Sequence, residues 1–232
     1  MSTGLRRTER HIAVTRTARY YVVGGTDAAA DETLRDLWVV CHGYGQLAGT
    51  FVAPFEKLAA PWRRIVAPEA LSRFYLDATR KPGDAEPRVG ATWMTREDRE
   101  REIDDQVAYL DALVDRVRPG RAAGGVRLRV LGFSQGVATV VRWVDRGRAR
   151  ADEIILWAGS FPPDVDLAGF AARIGTVPVV LVVGTRDELA PWAAADVTLG
   201  RLVDAGLSAR LVTFDGGHRL DDATLAALAG SR

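Results

Sequence analysis

Residues 128–137, Leu-Arg-Val-Leu-Gly-Phe-Ser-Gln-Gly-Val, constrain this chain more than any other stretch. An apolar run with the character of a strand ends in Gly-x-Ser-x-Gly, and a helix-compatible run, Ala-Thr-Val-Val-Arg-Trp-Val at 138–144, begins at once. A strand that passes straight into a helix holds the joining serine in strained backbone geometry, and a Cβ at Gly132 or Gly136 would collide with a neighbouring strand or helix. The strain lifts the Ser134 hydroxyl over the sheet edge. The N–H of Gln135 faces the same space at a helix N-terminus, where negative charge is favoured.

With 232 residues, 47% of them hydrophobic, and a net charge of +1, the expectation is one large domain spanning 1–232. A near-balanced charge gives no electrostatic case for nucleic acid or for an acidic membrane surface. The single cysteine, Cys41, has no partner for an internal disulfide, and the first residues carry arginines with no apolar segment behind them, so a cytoplasmic protein is expected. No run reaches the roughly 18 apolar residues of a membrane span, which argues against integral membrane association. Cys41 reads as a small buried hydrophobe. The oligomeric state is not legible.

Along the chain, 11–23 is rich in β-formers and predicts one long strand or a hairpin, with His11 solvated at its end. Residues 37–41 form a continuous apolar run, the pattern of a strand covered on both faces, and lead into His42-Gly43-Tyr44-Gly45-Gln46. A helix is expected over 51–60 and a short strand over 64–68. Residues 69–95 show no period and are expected to be an irregular segment over the site, its Phe74, Trp93 and Met94 shaping a pocket. Thr95-Arg96-Glu97-Asp98 resembles a capping box, followed by Ile103, Val107, Leu110, Val114 and Val117 at helical spacing up to Pro119-Gly120. Buried strands are expected at 153–158 and 178–184 and a last strand at 209–214, with helices at 166–174 and 192–205 and a last helix capped by Asp221-Asp222. This alternation implies an α/β fold, a mostly parallel sheet with helices on both faces.

Three polar residues stand just past three of these strands, in the order Ser134, Asp187, His218. Parallel strands bring their C-terminal ends to one edge, so residues remote in sequence meet there. A serine hydroxyl needs a base, and His218 is the suitable histidine on a late loop. The imidazolium formed during reaction needs a carboxylate, which Asp187 supplies. The neighbouring Glu188 is expected to face elsewhere, Asp215 to form a turn, and His42 to brace its glycine loop. Gly43 and Gly45 let the backbone approach a substrate, presenting the N–H of Tyr44 beside that of Gln135 to an oxyanion. No metal or organic cofactor is implied.

His42-Gly43-Tyr44-Gly45, Gly132-Phe133-Ser134-Gln135-Gly136, Gly184-Thr185-Arg186-Asp187 with Pro191 behind it, and Gly217-His218 resemble the phospholipase/carboxylesterase family of α/β-hydrolases, which includes the acyl-protein thioesterases. The resemblance spans 37–218. It implies a compact serine esterase of the α/β-hydrolase fold with no separate cap domain, acting through an acyl-enzyme on carboxylic esters or thioesters. Ser134 is then the nucleophile, Asp187 and His218 its partners, and Tyr44 and Gln135 the oxyanion donors. Two departures stand out: the glycine loop usually continues Gly-Asp where this chain has Gly45-Gln46, and the family's Trp-Phe-Asp segment has Trp93-Met94 as its nearest match. The expected substrate is a small ester of short to medium acyl chain, in a pocket walled by Phe74, Trp93, Phe161 and Trp192. The rival readings are a thioesterase or lysophospholipase-type hydrolase, and a hydrolase-like binding module without catalysis.

Overall fold

The computed structural model describes residues 7–25, 33–77, 86–118 and 125–230. Its centre is a seven-stranded sheet built from β1 (Tyr20–Gly24), β2 (Asp36–Cys41), β3 (Arg63–Pro68), β6 (Arg127–Phe133), β7 (Glu153–Trp157), β8 (Val179–Gly184) and β9 (Ala209–Phe214), in the order β1-β3-β2-β6-β7-β8-β9. All neighbours are parallel except β1, which runs antiparallel to β3. The continuous apolar runs at β2, β7 and β8 are buried at every position, as strands covered on both sides must be.

Side chains alternate between two cores. On one face Leu37, Val39, Leu128, Val130, Ile154 and Leu181 pack with α2 (Arg99–Val117), α3 (Gln135–Arg146), α4 (Leu167–Ile174) and α5 (Trp192–Asp204). On the other, Trp38, Val40, Ile65, Leu131, Ile155 and Val180 pack with α1 (Ala48–Phe51), a 3-10 helix (Ala53–Leu58) and α6 (Asp222–Gly230). The expected apolar stripe of α2 is buried throughout, from Ile103 to Val117. Pro119-Gly120, read as its terminator, lies outside the described residues.

Four expectations need correction. Only Tyr20–Gly24 of the β-rich stretch 11–23 is a strand, because its register begins with Tyr20 opposite Pro68, the last residue of β3. The helix expected over 51–60 is split into α1 and the 3-10 helix, since Pro54 has no N–H to continue an α-helical ladder. The stretch 69–95 is not wholly irregular: β4 (Ser72–Tyr75) and β5 (Val89–Thr92) form a separate antiparallel pair, with 78–85 outside the described residues. The capping box is absent, since α2 starts after Asp98, whose side chain caps nothing, and the Thr95 N–H donates to Glu102. Asp166 and Asp221, by contrast, act as caps, accepting from the N–H groups of Gly169 and Thr224.

Candidate active site

β6 and α3 meet at Ser134, whose backbone is forced to φ 55°, ψ −116°. This turn is possible only with glycine on both sides. A Cβ on Gly132 would stand 2.2 Å from the Gly136 carbonyl oxygen, and one on Gly136 2.2 Å from that of Cys41 on β2. Contacts that short with backbone atoms cannot be relieved by a side-chain rotation.

The turn carries Ser134 to the edge where β8 and β9 also end, and Asp187 and His218 follow those two strands. Their loops are laced together: Thr185 N–H donates to Phe214 O and Arg186 N–H to Gly216 O, both at 2.9 Å. The indole of Trp157 donates to Arg219 O at 3.0 Å, and the Phe133 ring lies 5.0 Å from the His218 ring. Between them these contacts fix the imidazole. His218 Nε2 is 3.0 Å from Ser134 Oγ, and Nδ1 is 2.9 Å from Asp187 Oδ2. An ionised carboxylate only accepts, so Nδ1 carries the ring proton and Nε2 is left to accept from the serine hydroxyl. The buried Asp187 side chain also receives the N–H groups of Leu189 (2.9 Å) and Ala190 (2.8 Å), which hold it in the orientation the imidazole needs. Glu188 is exposed, and Asp215 is exposed and pairs with Arg186 at 3.1 Å.

The two backbone N–H groups expected to face this site, on Tyr44 and Gln135, find no acceptor among the described residues. Gly43 N–H is taken by Gln46 Oε1 at 2.8 Å, so the glutamine that breaks the Gly-Asp pattern braces the loop. His42 is buried and bonded on both ring nitrogens, as a bracing residue should be, and burial lowers its pKa.

The five residues expected to wall a pocket do not act together. Trp93 is 3% exposed, its ring against His42 and its N–H on His42 O at 2.8 Å. Phe161 is 7% exposed and packs edge-on against Phe170 in the core. Met94 lies against Arg142, with its carbonyl accepting from Gln135 Nε2. Phe74 stacks on the exposed ring of Tyr44 at 5.2 Å, and Trp192 is half exposed at the start of α5. The core takes up Trp93 and Phe161 because their flat apolar rings gain more from burial than from lining water.

The side chain of Gln135 escaped the sequence reading. Its amide nitrogen donates to Thr92 Oγ1 (2.9 Å) and Met94 O (3.0 Å), while its oxygen accepts from Trp93 N–H (3.1 Å). A glutamine after the serine gives no local hint of a partner more than 40 residues away. Among the described residues, the one grouping with ligand atoms close enough to share a metal ion is Glu9, His11 and Asp98, none of which belongs to this site.

The model of the Phospholipase/Carboxylesterase family matches residues 28–231. The chain belongs to the phospholipase/carboxylesterase family. It is therefore a member of a family of phospholipases and carboxylesterases. Among solved structures it is similar to esterase PE8, with TM-score 0.65 and 23% identity over 92% of this chain and 97% of that one. It is similar as well to acyl-protein thioesterase 2 of Zea mays, with TM-score 0.67 and 18% identity over 92% and 96%. A phospholipase/carboxylesterase of Dyadobacter fermentans gives TM-score 0.64 and 16% identity over 94% and 98%. At such identities the likeness speaks for the fold, that of an α/β-hydrolase, which the mostly parallel sheet shows directly. No curated protein matches the sequence. No helix among the described residues is long and apolar enough to cross a membrane.

Proposed function

We propose that this family member is a serine carboxylesterase working through an acyl-enzyme. The observation that carries the reading is the unbroken relay from Ser134 Oγ through His218 to Asp187, with 3.0 Å and 2.9 Å between its members. His218 takes the hydroxyl proton as Ser134 attacks the carbonyl carbon. Asp187 stabilises the resulting imidazolium, and His218 then returns the proton to the leaving alcohol. The tetrahedral oxyanion accepts from the unengaged N–H groups of Tyr44 and Gln135, the latter at the first turn of α3 where the helix dipole adds to the attraction. Water activated by His218 releases the acid. The acyl group rests against the apolar surfaces still open at this edge, the Tyr44–Phe74 pair and Trp192.

The test is hydrolysis of p-nitrophenyl esters from acetate upward, with the thioester of the same acid alongside. Wild-type protein is expected to be most active on short to medium chains and to be labelled at Ser134 by a fluorophosphonate. Ser134→Ala is expected to abolish both while keeping the wild-type melting temperature. Unchanged turnover in that variant would refute the mechanism, and best activity on long-chain lysolipids would refute the substrate class.

A further inference from the structure

The peptide unit joining Gly43 to Tyr44 is held from one side only. Its carbonyl oxygen lies 2.8 Å from His42 Nδ1 and accepts Gln46 N–H at 3.3 Å. The opposite ring nitrogen, Nε2, lies 3.1 Å from Ala70 N. A backbone amide can only donate, so Nε2 is the acceptor and the single proton of a neutral imidazole sits on Nδ1, pointing at the Gly43 oxygen. The ring cannot tip out of this arrangement, because Trp93 and Phe51 pack against it at 5.2 Å and 6.3 Å and the Trp93 indole holds His42 O.

The far end of this support is anchored by a buried carboxylate outside the relay. Glu69, 1% exposed, accepts from Arg19 Nη2 at 2.7 Å and from Arg73 Nη1 at 2.9 Å, and its own N–H donates to Arg19 O at 3.0 Å. It also receives the N–H of Ala48, the first residue of α1. Residues 69 and 70 therefore grip both ends of the loop that runs from His42 to Ala48.

In a trans peptide the carbonyl and the N–H point in opposite directions. Fixing the Gly43 oxygen toward His42 thus turns the Tyr44 N–H away from the core, and a hydrogen bond to the carbonyl makes the N–H of the same unit a stronger donor. A Cβ on Gly43 would be 3.1 Å from Ser134 Cβ, so this unit lies directly beside the nucleophile.

We propose that His42 is a positioning residue for ester hydrolysis, a neutral Nδ1-protonated imidazole, anchored by the Glu69–Ala70 segment, that aims and polarises the Tyr44 N–H at the oxyanion. The proposal rests on the serine-esterase reading. The experiment compares His42→Phe, His42→Asn and His42→Gln for kcat and KM on p-nitrophenyl acetate, and for inhibition by a trifluoromethyl ketone, whose adduct with Ser134 carries an oxyanion. Asparagine places its N–H where Nδ1 stands, while glutamine places its amide nearer to Nε2. His42→Phe is expected to lower kcat by about 100-fold, the loss typical of one oxyanion donor, with KM within twofold and ketone affinity reduced in parallel. His42→Asn should recover most of that loss and His42→Gln little of it. A folded His42→Phe protein with wild-type kcat and wild-type ketone affinity would overturn the proposal. Should His42→Phe not fold, equal kcat in the asparagine and glutamine variants overturns it just as well. Wild-type protein that fails to react with a fluorophosphonate would strike down the serine-esterase reading itself, and this proposal with it.

Discussion

Asp187 illustrates how a single side chain is made to serve one partner. Two backbone amides occupy its Oδ1, and Oδ2 faces His218, so rotation of the carboxylate would break three bonds at once. Asp187→Asn keeps the shape but places an N–H₂ either against those amides or against the imidazole, which then adopts the wrong tautomer. We expect kcat to fall by about ten-thousandfold with little change in KM, measured on p-nitrophenyl acetate. A loss under tenfold would mean that the carboxylate is not the imidazole's working partner. Ser134, Asp187 and His218 were legible in the sequence because each follows an apolar strand and the sheet carries them to a shared edge. Glu69 and the Gln135 side chain were not. Their partners, Arg19 and Thr92, are 50 and 43 positions away, and nothing local encodes such a meeting. Trp93 and Phe161 misled for a related reason: an aromatic in a loop reads the same whether its ring closes the core or faces a ligand.

The elements were read best where burial is complete. Strands β2, β7 and β8 have no exposed position, so their composition alone gives them away. The β4–β5 pair was missed because a strand of four residues is too short for a pattern to register, and Ser-Arg-Phe-Tyr and Val-Gly-Ala-Thr show no apolar alternation. Helix packing includes a polar cluster that the sequence did not suggest. Asp164, in the segment before α4, receives Arg142 of α3 at 2.8 Å and Arg99 of α2 at 2.6 Å. The hydrogen-bonded Arg142 guanidinium, with Arg99 adding to it, holds the Asp164 carboxyl well below the usual carboxylate range. The unfolded chain then binds the proton more readily than the folded one, so the contribution is complete above the ordinary carboxylate value of about 3.9 and fades as the pH drops below it. Asp164→Asn should cost about 2 kcal/mol at pH 7, and the gap from wild type should close as denaturation curves are taken from pH 5 toward pH 2. A gap independent of pH would remove the ion pair as its cause.

Across the whole molecule, the sheet edge opposite Ser134 carries a row of buried charge. Arg63 at the start of β3, Asp36 at the start of β2, Arg129 in β6 and Glu153 at the start of β7 pair in turn at 2.7, 3.2 and 3.3 Å. The two arginines also reach the last turn of α6, donating to Ala229 O and Leu228 O at 2.7 and 2.8 Å. Removing Asp36 takes from the buried Arg63 the carboxylate it pairs with and leaves Arg129 with Glu153 alone, so Asp36→Ala should destabilise the protein by roughly 3 to 5 kcal/mol. Denaturant unfolding measures that loss. Turnover per folded molecule should remain at the wild-type value, and a matching fall in kcat would contradict the separation. The row also adds a polar tie to α6, whose Leu225, Leu228 and Ala229 already pack in the core: two of its last carbonyls are bound to the sheet. With the proposed function, durability and turnover are thus governed from opposite poles of the same strands. A lineage selected in the laboratory for heat resistance can therefore rebuild one pole while leaving the reactive one as it was.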